Sequence, residues 1–438
     1  MKGGVVMNVR EIALRALDKV FSGSYSNIVL NDYLNNYELN DSDRALLSEI
    51  VYGTIAKKLT LEFYLAPFIK GRMRQWQRNL LMLSVYQLVY LDRIPPYAVI
   101  NEAVEITKTR GGLSASKVTN AILRNFEREP LRDFSDIKND KTRLSVLSSI
   151  PQWIIEHWIT HYKFEGAVKI AESLQDRPKL YARVNTRKTT RDTLIEQLTA
   201  DGLEVEAATL HQDGIISKTN QILKHPLFFK GMYSIQDISS MFVHDAVNPK
   251  HDDVVLDACS APGGKGLHVA EKLTDGHADL ADVHPHKITL IDNAAKRLEI
   301  DNYSAFVADA TAFDYGKKYD KIIVDAPCSG LGVIRRKPEI RYERKSEDID
   351  SLVKLQLEIL NHVKQFLKPG GELIYSTCTI HQMENENVAY TFMKQNEDIE
   401  FEPFDLPTLN FSGHMRQILP YEFDTDGFFI AKFKRKSD

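Results

Sequence analysis

The sequence predicts a multidomain protein: an all-α domain, then a small α+β module, then an α/β domain built on a parallel sheet. Three observations carry this prediction. Apolar residues recur at helical spacing from Val9 to about Arg128, with no strand-like alternation. Two alternating runs with a helical run between them occupy the stretch from Tyr181 to Glu206. From about Gly231 onward, short apolar runs alternate with helical ones, which is the pattern of βαβ units. The boundaries read as 1–130, a polar linker at 131–150, then 151–232 and 233–438.

In the first part, Ile12, Ala16, Leu17 and Val20 share one helical face. Leu46, Leu47, Ile50, Val51 and Ile55 share another, as do Leu80, Leu83, Val85, Leu88 and Val89. Asp41-Ser42-Asp43 supplies an N-cap, and Ile94-Pro95-Pro96 breaks a helix because proline lacks the amide donor. Residues 1–130 hold 17 Lys and Arg against 13 Asp and Glu, a net +4, so the remainder of a chain of net charge −4 is −8. Lys70, Arg72, Arg74 and Arg78 gather around Trp76, which suits either phosphate contact or a solvated helix entry.

A chain of 438 residues can bury a large core, and 43% hydrophobic with 26% charged residues is ordinary for a soluble protein. No apolar run reaches membrane-spanning length, and Met1-Lys2-Gly3-Gly4-Val5-Val6 leads into an amphipathic helix rather than a signal-peptide core. A cytoplasmic protein with no membrane partner is therefore expected. Three cysteines without metal-ligand spacing argue against a disulfide framework and against zinc, so no metal is expected.

In the middle part, Pro151 to Trp158 resumes as helix, Tyr181 to Asn185 alternates as a strand, Thr190 to Leu198 reads as helix and Leu203 to Glu206 as strand. Arg183, Asn185 and Arg187 give this module a polar face, most simply a solvent-exposed one.

In the last part, strands are legible at Val254–Asp257, Ala278–Val283, Ser304–Asp309, Lys321–Asp325 and Glu372–Tyr375. Parallel sheets of this kind bind ligands outside the carboxyl ends of their strands. Those ends carry Asp257, Asp282, Asp309, Asp325 and Ser376-Thr377-Cys378. A lone aspartate there is an ordinary turn residue, but four in successive strands read as a pocket. The loop Cys259-Ser260-Ala261-Pro262-Gly263-Gly264-Lys265 forces a tight turn, lets a ligand approach the backbone and opens a helix whose start favours a polar or anionic group. It is not a Walker A loop, because Gly266 stands where the magnesium-binding hydroxyl belongs. Asp282 lies about 20 residues further on, the spacing at which α/β nucleotide folds place the acid for both ribose hydroxyls. An adenosine ligand without phosphates fits, since no cluster of cations for a triphosphate is present.

Asp325-Ala326-Pro327-Cys328-Ser329-Gly330 and Ser376-Thr377-Cys378-Thr379 place two thiols at the mouths of two strands. Either thiol alone reads as an inert core residue. Together they fit methylation at carbon 5 of cytosine, a poor nucleophile until a thiolate adds at carbon 6; a second group must then help the adduct resolve. A helix expected from Met383 would lower the Cys378 pKa through its dipole, while Glu384 and Glu386 would oppose this. Asp325 could hydrogen-bond the cytosine edge and assist addition. Arg335-Arg336-Lys337 suits either phosphate contact or a solvated basic turn.

These motifs resemble the RsmB (Sun/Fmu) family of small-subunit (16S) ribosomal RNA cytosine-5 methyltransferases, a branch of the Nop/Sun group, over nearly the whole chain. Asp257 to Lys265, Asp325 to Arg336 and Tyr375 to Thr379 carry most of the likeness, and Asp426 to Ala431 is similar to the family's final hairpin. Tyr86-Gln87-Leu88 and Asn101 to Glu105 look like the NusB-type RNA-binding domain of this branch. The resemblance implies a NusB-like N-terminal domain, an RNA-binding α+β module and a Rossmann-like class I methyltransferase domain. It implies that Cys259, Ser260, Ala261, Pro262, Gly263, Gly264 and Lys265, with Asp282, Asp309 and Asp325, surround S-adenosylmethionine. It assigns the nucleophile to Cys378 and product release to Cys328, beside the catalytic part read above for Asp325. It further implies 16S ribosomal RNA, free or partly assembled, as partner of a monomeric enzyme. Gly266 departs from the small hydroxyl residue common in the family. Methylation of tRNA, of another RNA or of DNA are the alternatives; a small-molecule methyltransferase would not need the helical domain, and a pure RNA-binding protein would not need the βαβ half.

Overall fold

The computed structural model describes residues 8–437, so Met1 to Val6 lie outside it, and the chain divides into two compact units. The first comprises the residues up to Gln175 together with Ile334–Arg344. Its helices are α1 (Val9–Val20), α2 (Ser26–Asn36), α3 (Asp41–Ala56), α4 (Lys58–Leu65), α5 (Gln75–Tyr90), α6 (Pro96–Arg128), α7 (Asp140–Ser148) and α8 (Gln152–Ser173). The helical spacing read from sequence is the core: Ile12, Leu17, Leu47, Ile50, Leu80 and Leu83 are buried, with Leu46, Leu88 and Val89 packed at its margin. The α3 cap is Asn40, one residue before the predicted stretch; its side chain accepts the Asp43 amide at 2.8 Å. Pro96 opens α6 at a position where the missing amide is not needed.

The polar stretch predicted as a linker contains α7, which packs against α8, and both fall within this first compact unit. Of the α7 residues only Leu144, Ser145 and Ser148 are buried, so its polar outer surface hid the helix from a composition-based reading. The segment Ile334–Arg344 is anchored in the same unit by polar groups. Arg341 is buried, and its Nη1 donates to the carbonyls of Ala56 (3.2 Å) and Ser149 (3.2 Å), at the ends of α3 and α7. A cation is stabilised at helix C-termini because unpaired carbonyls point outward there. Glu339 accepts from the Ser26 amide (3.0 Å) and hydroxyl (2.7 Å).

The second unit comprises residues 176–333 and 345–438. It begins with β1 (Leu180–Val184), α9 (Arg191–Ala200), β2 (Val205–Ala207), β3 (Gly214–Ser217), α10 (Pro226–Phe229) and β4 (Tyr233–Ile235), whose strands form an antiparallel sheet in the order β2-β3-β1-β4. Of the face expected to be solvent-exposed, Arg183 and Asn185 are instead buried, while Arg187 stays exposed but bonded to other segments. Arg183 is paired with Glu271, Asn185 donates to the carbonyls of Gly231 (3.0 Å) and Leu298 (2.9 Å), and Arg187 donates to those of Ala270 (2.7 Å) and Glu271 (2.8 Å). These residues dock the small sheet on the large-sheet part of this unit, a use of polar groups that local sequence does not announce.

The chain continues through α11 (Ile238–Val247), β5 (Val254–Asp257), α12 (Gly264–Ala270), β6 (His277–Asp282), α13 (Pro285–Leu298), β7 (Tyr303–Val307) and β8 (Tyr319–Asp325). After α14 (Ile340–Glu343), in the segment belonging to the first unit, come α15 (Ser346–Val363), β9 (Leu367–Thr377), α16 (Glu386–Gln395), β10 (Ile399–Phe401), β11 (Phe404–Leu406), β12 (Phe411–Gly413), β13 (Met415–Ile418), α17 (Pro420–Phe423) and β14 (Phe428–Arg435). The large sheet runs β10-β14-β9-β8-β5-β6-β7; β9 to β7 are parallel, and β14 is antiparallel to β9, β10 and β13. The five predicted parallel strands are all present, and the antiparallel edge was legible only in its closing run. Apolar clusters from α11, α12 and α13 cover one face, and those from α15 and α16 the other. Strand order reverses at β5, flanked by β6 and β8, so a crevice opens at the carboxyl ends of β5 and β8.

Candidate active site

Asp257 ends β5 and Asp325 ends β8, and both line a cavity of about 210 Å³ at that crevice. Ser260, Ala261, Pro262, Gly264 and Lys265 from the predicted loop line it too. Gly263 takes φ 100°, which a side chain would strain. The Gly266 departure has a packing reason: a Cβ there would lie 2.4 Å from Leu280 and 2.8 Å from Asp257 Oδ2. Cys259 sits in the same loop, where burial and the carboxylates of Asp257, Asp325 and Asp282 push its thiol well up, leaving it neutral. Asp282 and Asp309 stand further along the carboxyl edge. Asp282 accepts the His284 amide at 3.0 Å and lies 3.4 Å from Lys287 Nζ, whereas exposed Asp309 accepts the Thr311 amide (2.9 Å) and hydroxyl (2.7 Å).

Ile235, Gln236, Asp237 and Ser240 complete the wall, and sequence reasoning missed all four. The available signal was a polar pair before an apolar helix: Asp237 caps α11 by accepting the Ser239 amide at 2.9 Å. The wall sets the carboxylates of Asp237, Asp257 and Asp325 against one ammonium, Lys265, among the described residues. Burial, then the Asp325 charge, pushes the Asp257 carboxyl up to about 7. Lys265 Nζ is 2.6 Å from Asp325 Oδ2; burial works against its charge, yet the carboxylate beside it holds its pKa above the ordinary value. This acidity corrects the expectation of an anion-favouring helix start; α12 is short, and its surroundings suit a cation. A sulfonium and an α-ammonium fit such a wall, and Gln236 Nε2, buried without a partner among the described residues, offers a further donor.

The two thiols meet. Cys328 Sγ lies 3.3 Å from Cys378 Sγ, both half-buried, at the ends of adjacent strands β8 and β9. The hydrogen bond to Cys378, then burial and the charges of Glu384 and Asp325, push the Cys328 thiol well up. Asp325 Oδ1 also accepts the Ser376 hydroxyl at 2.9 Å. The helix expected from Met383 begins only at Glu386, so its dipole does not act on Cys378 as predicted. A positive charge near that thiol is Lys265, whose own pKa the Cys378 charge helps to raise. Arg335 and Arg336 are half-buried and Lys337 exposed, while Lys70, Arg72, Arg74 and Arg78 are all exposed around the start of α5. The fold also assembles His211, His244 and Asp245 within 4.8 Å of one another. His211 Nδ1 accepts the Asp213 amide at 3.1 Å, and its Nε2 lies 3.3 Å from Asp245 Oδ1.

A reversed parallel sheet with an antiparallel edge strand, and an acidic crevice at its switch point, define an S-adenosylmethionine-dependent methyltransferase. Models of the 16S rRNA methyltransferase RsmB/F family match residues 244–434, of the NusB family residues 7–128, and of the RsmF/B-like ferredoxin-like domain residues 150–221. The probable ribosomal RNA small subunit methyltransferase B of Bacillus subtilis (strain 168) is 41% identical, covering 98% of this chain and 99% of its own. Ribosomal RNA small subunit methyltransferase B of Yersinia pestis bv. Antiqua (strain Angola) is 31% identical over 98% of this chain and 99% of its own. The crystal structure of PH0851 shares the fold at a TM-score of 0.84 and 22% identity, covering 98% of this chain and 99% of that one. The chain belongs to the 16S rRNA methyltransferase RsmB/F family.

Proposed function

We propose that this protein methylates carbon 5 of a cytosine in small-subunit ribosomal RNA through a covalent bond to Cys378. The observation that carries the reading is the Cys328–Cys378 pair, 3.3 Å apart beside Asp325 and Lys265. Ser260 to Lys265, Asp257 and Asp237 would hold the cofactor, Asp282 its ribose hydroxyls, and Asp309 the adenine side of the pocket. When bound, S-adenosylmethionine supplies an electrophilic methyl group. Cys378 Sγ adds to carbon 6 of the base, and Asp325 hydrogen-bonds the ring edge, so that electron density builds at carbon 5. After methylation Cys328, as its thiolate, takes the proton from carbon 5, and the ring double bond re-forms as the bond to Cys378 breaks. The reacting base must leave its stack, so a loop or opened stem is the expected substrate. The NusB-type domain and the small module would hold the RNA backbone, and the reaction would take place in the cytoplasm.

Bisulfite sequencing of ribosomal RNA from a deletion strain tests this. One small-subunit cytosine should lose its protection. An unchanged ribosomal pattern, or a methyl group lost from tRNA or DNA instead, would sink the assignment.

A further inference from the structure

A carboxylate outside the reaction just described lies beneath the two thiol loops. Glu384 is fully buried. Its Oε1 accepts the Ser329 amide at 2.8 Å and Gln356 Nε2 at 3.2 Å, and its Oε2 accepts the Ser329 hydroxyl at 2.5 Å. Ser329 follows Cys328 directly, so two of these donors sit on the residue that fixes the Cys328 backbone. The same hydroxyl lies 2.8 Å from Thr379 Oγ1, next to Cys378. Gln356, on α15, also donates to the carbonyl of Pro327 at 2.9 Å. On the Cys378 side, Tyr375 of β9 donates to the Glu384 carbonyl at 2.5 Å. A desolvated carboxylate is tolerated only while donors occupy its lone pairs. Displacing the Cys328 loop would strand that charge, so the network favours one loop position.

We propose that Glu384 is a positioning residue for the release step, holding the Cys328 loop where its thiol reaches the adduct carried by Cys378. This inference rests on the two-thiol reading above. Among the described residues, the charged and titratable groups facing Cys328 include Cys378, Glu384, Asp325 and Tyr375; Lys265 faces Asp325 and Cys378, and Tyr375 also faces Glu384 and Asp325. Once Cys378 is bonded to the base its charge is gone, while Glu384 and Asp325 remain. Their negative charge makes Cys328 the stronger proton acceptor at the moment it is needed. In that step Cys328 acts as its thiolate, its own proton having passed to solvent: the carbon 5–hydrogen bond breaks, its proton goes to the Cys328 sulfur, and its electron pair re-forms the ring double bond as the carbon 6–sulfur bond breaks and leaves its pair on Cys378.

The test is Glu384→Gln in the full chain, with ribosomal RNA and S-adenosylmethionine. Turnover should fall tenfold or more with KM for the cofactor unchanged, and a denaturant-resistant protein–RNA species should accumulate. Because the charge at residue 384 is removed, the pH of half-maximal release should move lower, a shift that a purely structural role would not produce. Wild-type turnover with an unmoved profile, or loss of attack and release together in folded protein, overturns the inference. If Glu384→Gln does not fold, Ser329→Ala keeps the amide bond and removes the hydroxyl one; it should slow release at least twofold, and wild-type release overturns the inference. Cys378→Ala and Cys328→Ala run alongside. If Cys378→Ala still methylates, both readings fall. If both cysteine variants behave as expected and Glu384→Gln matches wild type, only the role of Glu384 falls.

Discussion

Cys328 Sγ and Cys378 Sγ lie 3.3 Å apart across 50 residues of sequence, because parallel pairing of β8 with β9 brings the two strand ends side by side. Chemistry that needs two thiols is thereby confined to the edge of the sheet, next to the acidic crevice.

If Cys378 adds to the base and Cys328 resolves the adduct, Cys378→Ala should abolish both methyl transfer and covalent RNA attachment. Cys328→Ala should still attack and methylate, and a trapped protein–RNA species should build up on a denaturing gel. The opposite assignment of bands would reverse the roles. Full activity in both variants would end the thiol mechanism.

Asp282 is spoken for on one side by the His284 amide, which orients its carboxylate at the end of β6. Asp282→Ala should weaken S-adenosylmethionine binding by about 1.5–3 kcal/mol per lost charge-assisted hydrogen bond. Calorimetry that returns the wild-type affinity would take Asp282 out of the pocket.

Lys70, Arg72, Arg74 and Arg78 are exposed where α5 begins. Neutralising all four should weaken RNA binding and reduce its salt dependence by a slope of about 0.7 per single-strand phosphate contact. An identical slope in the variant would mark the cluster as a solvated helix entry.

The Asp257 carboxyl titrates at about 7 in the folded chain against an ordinary value of 3.8. Because its folded pKa is raised, its contribution to stability is complete below the ordinary value and is lost as pH rises through about 7. Asp257→Asn should therefore flatten the urea midpoint between those two pH values, gaining on the order of a few kcal/mol relative to wild type at the upper end. Parallel pH profiles for the two proteins would show that Asp257 is already ionised in the fold.

The sequence by itself determined the three-part architecture, the five parallel strands and the motif loops. Helical and strand periodicities are local, and a loop of the Pro262-Gly263-Gly264 type is a local backbone requirement. It also placed both thiols at strand ends. What it could not fix was which separated groups meet. The polar face of Arg183, Asn185 and Arg187 looked solvated but pairs with the far segments at Glu271 and Leu298. The polar stretch taken for a linker hides α7, and Ile334–Arg344, carrying basic residues read beside the catalytic loop, belongs with the helical unit. Glu384 was read as an unfavourable charge near Cys378, yet it is the acceptor on which Ser329 and Gln356 converge. Tertiary structure alone decided these points, because a buried polar group must find its partner wherever the fold supplies one, and that partner has no fixed spacing in sequence.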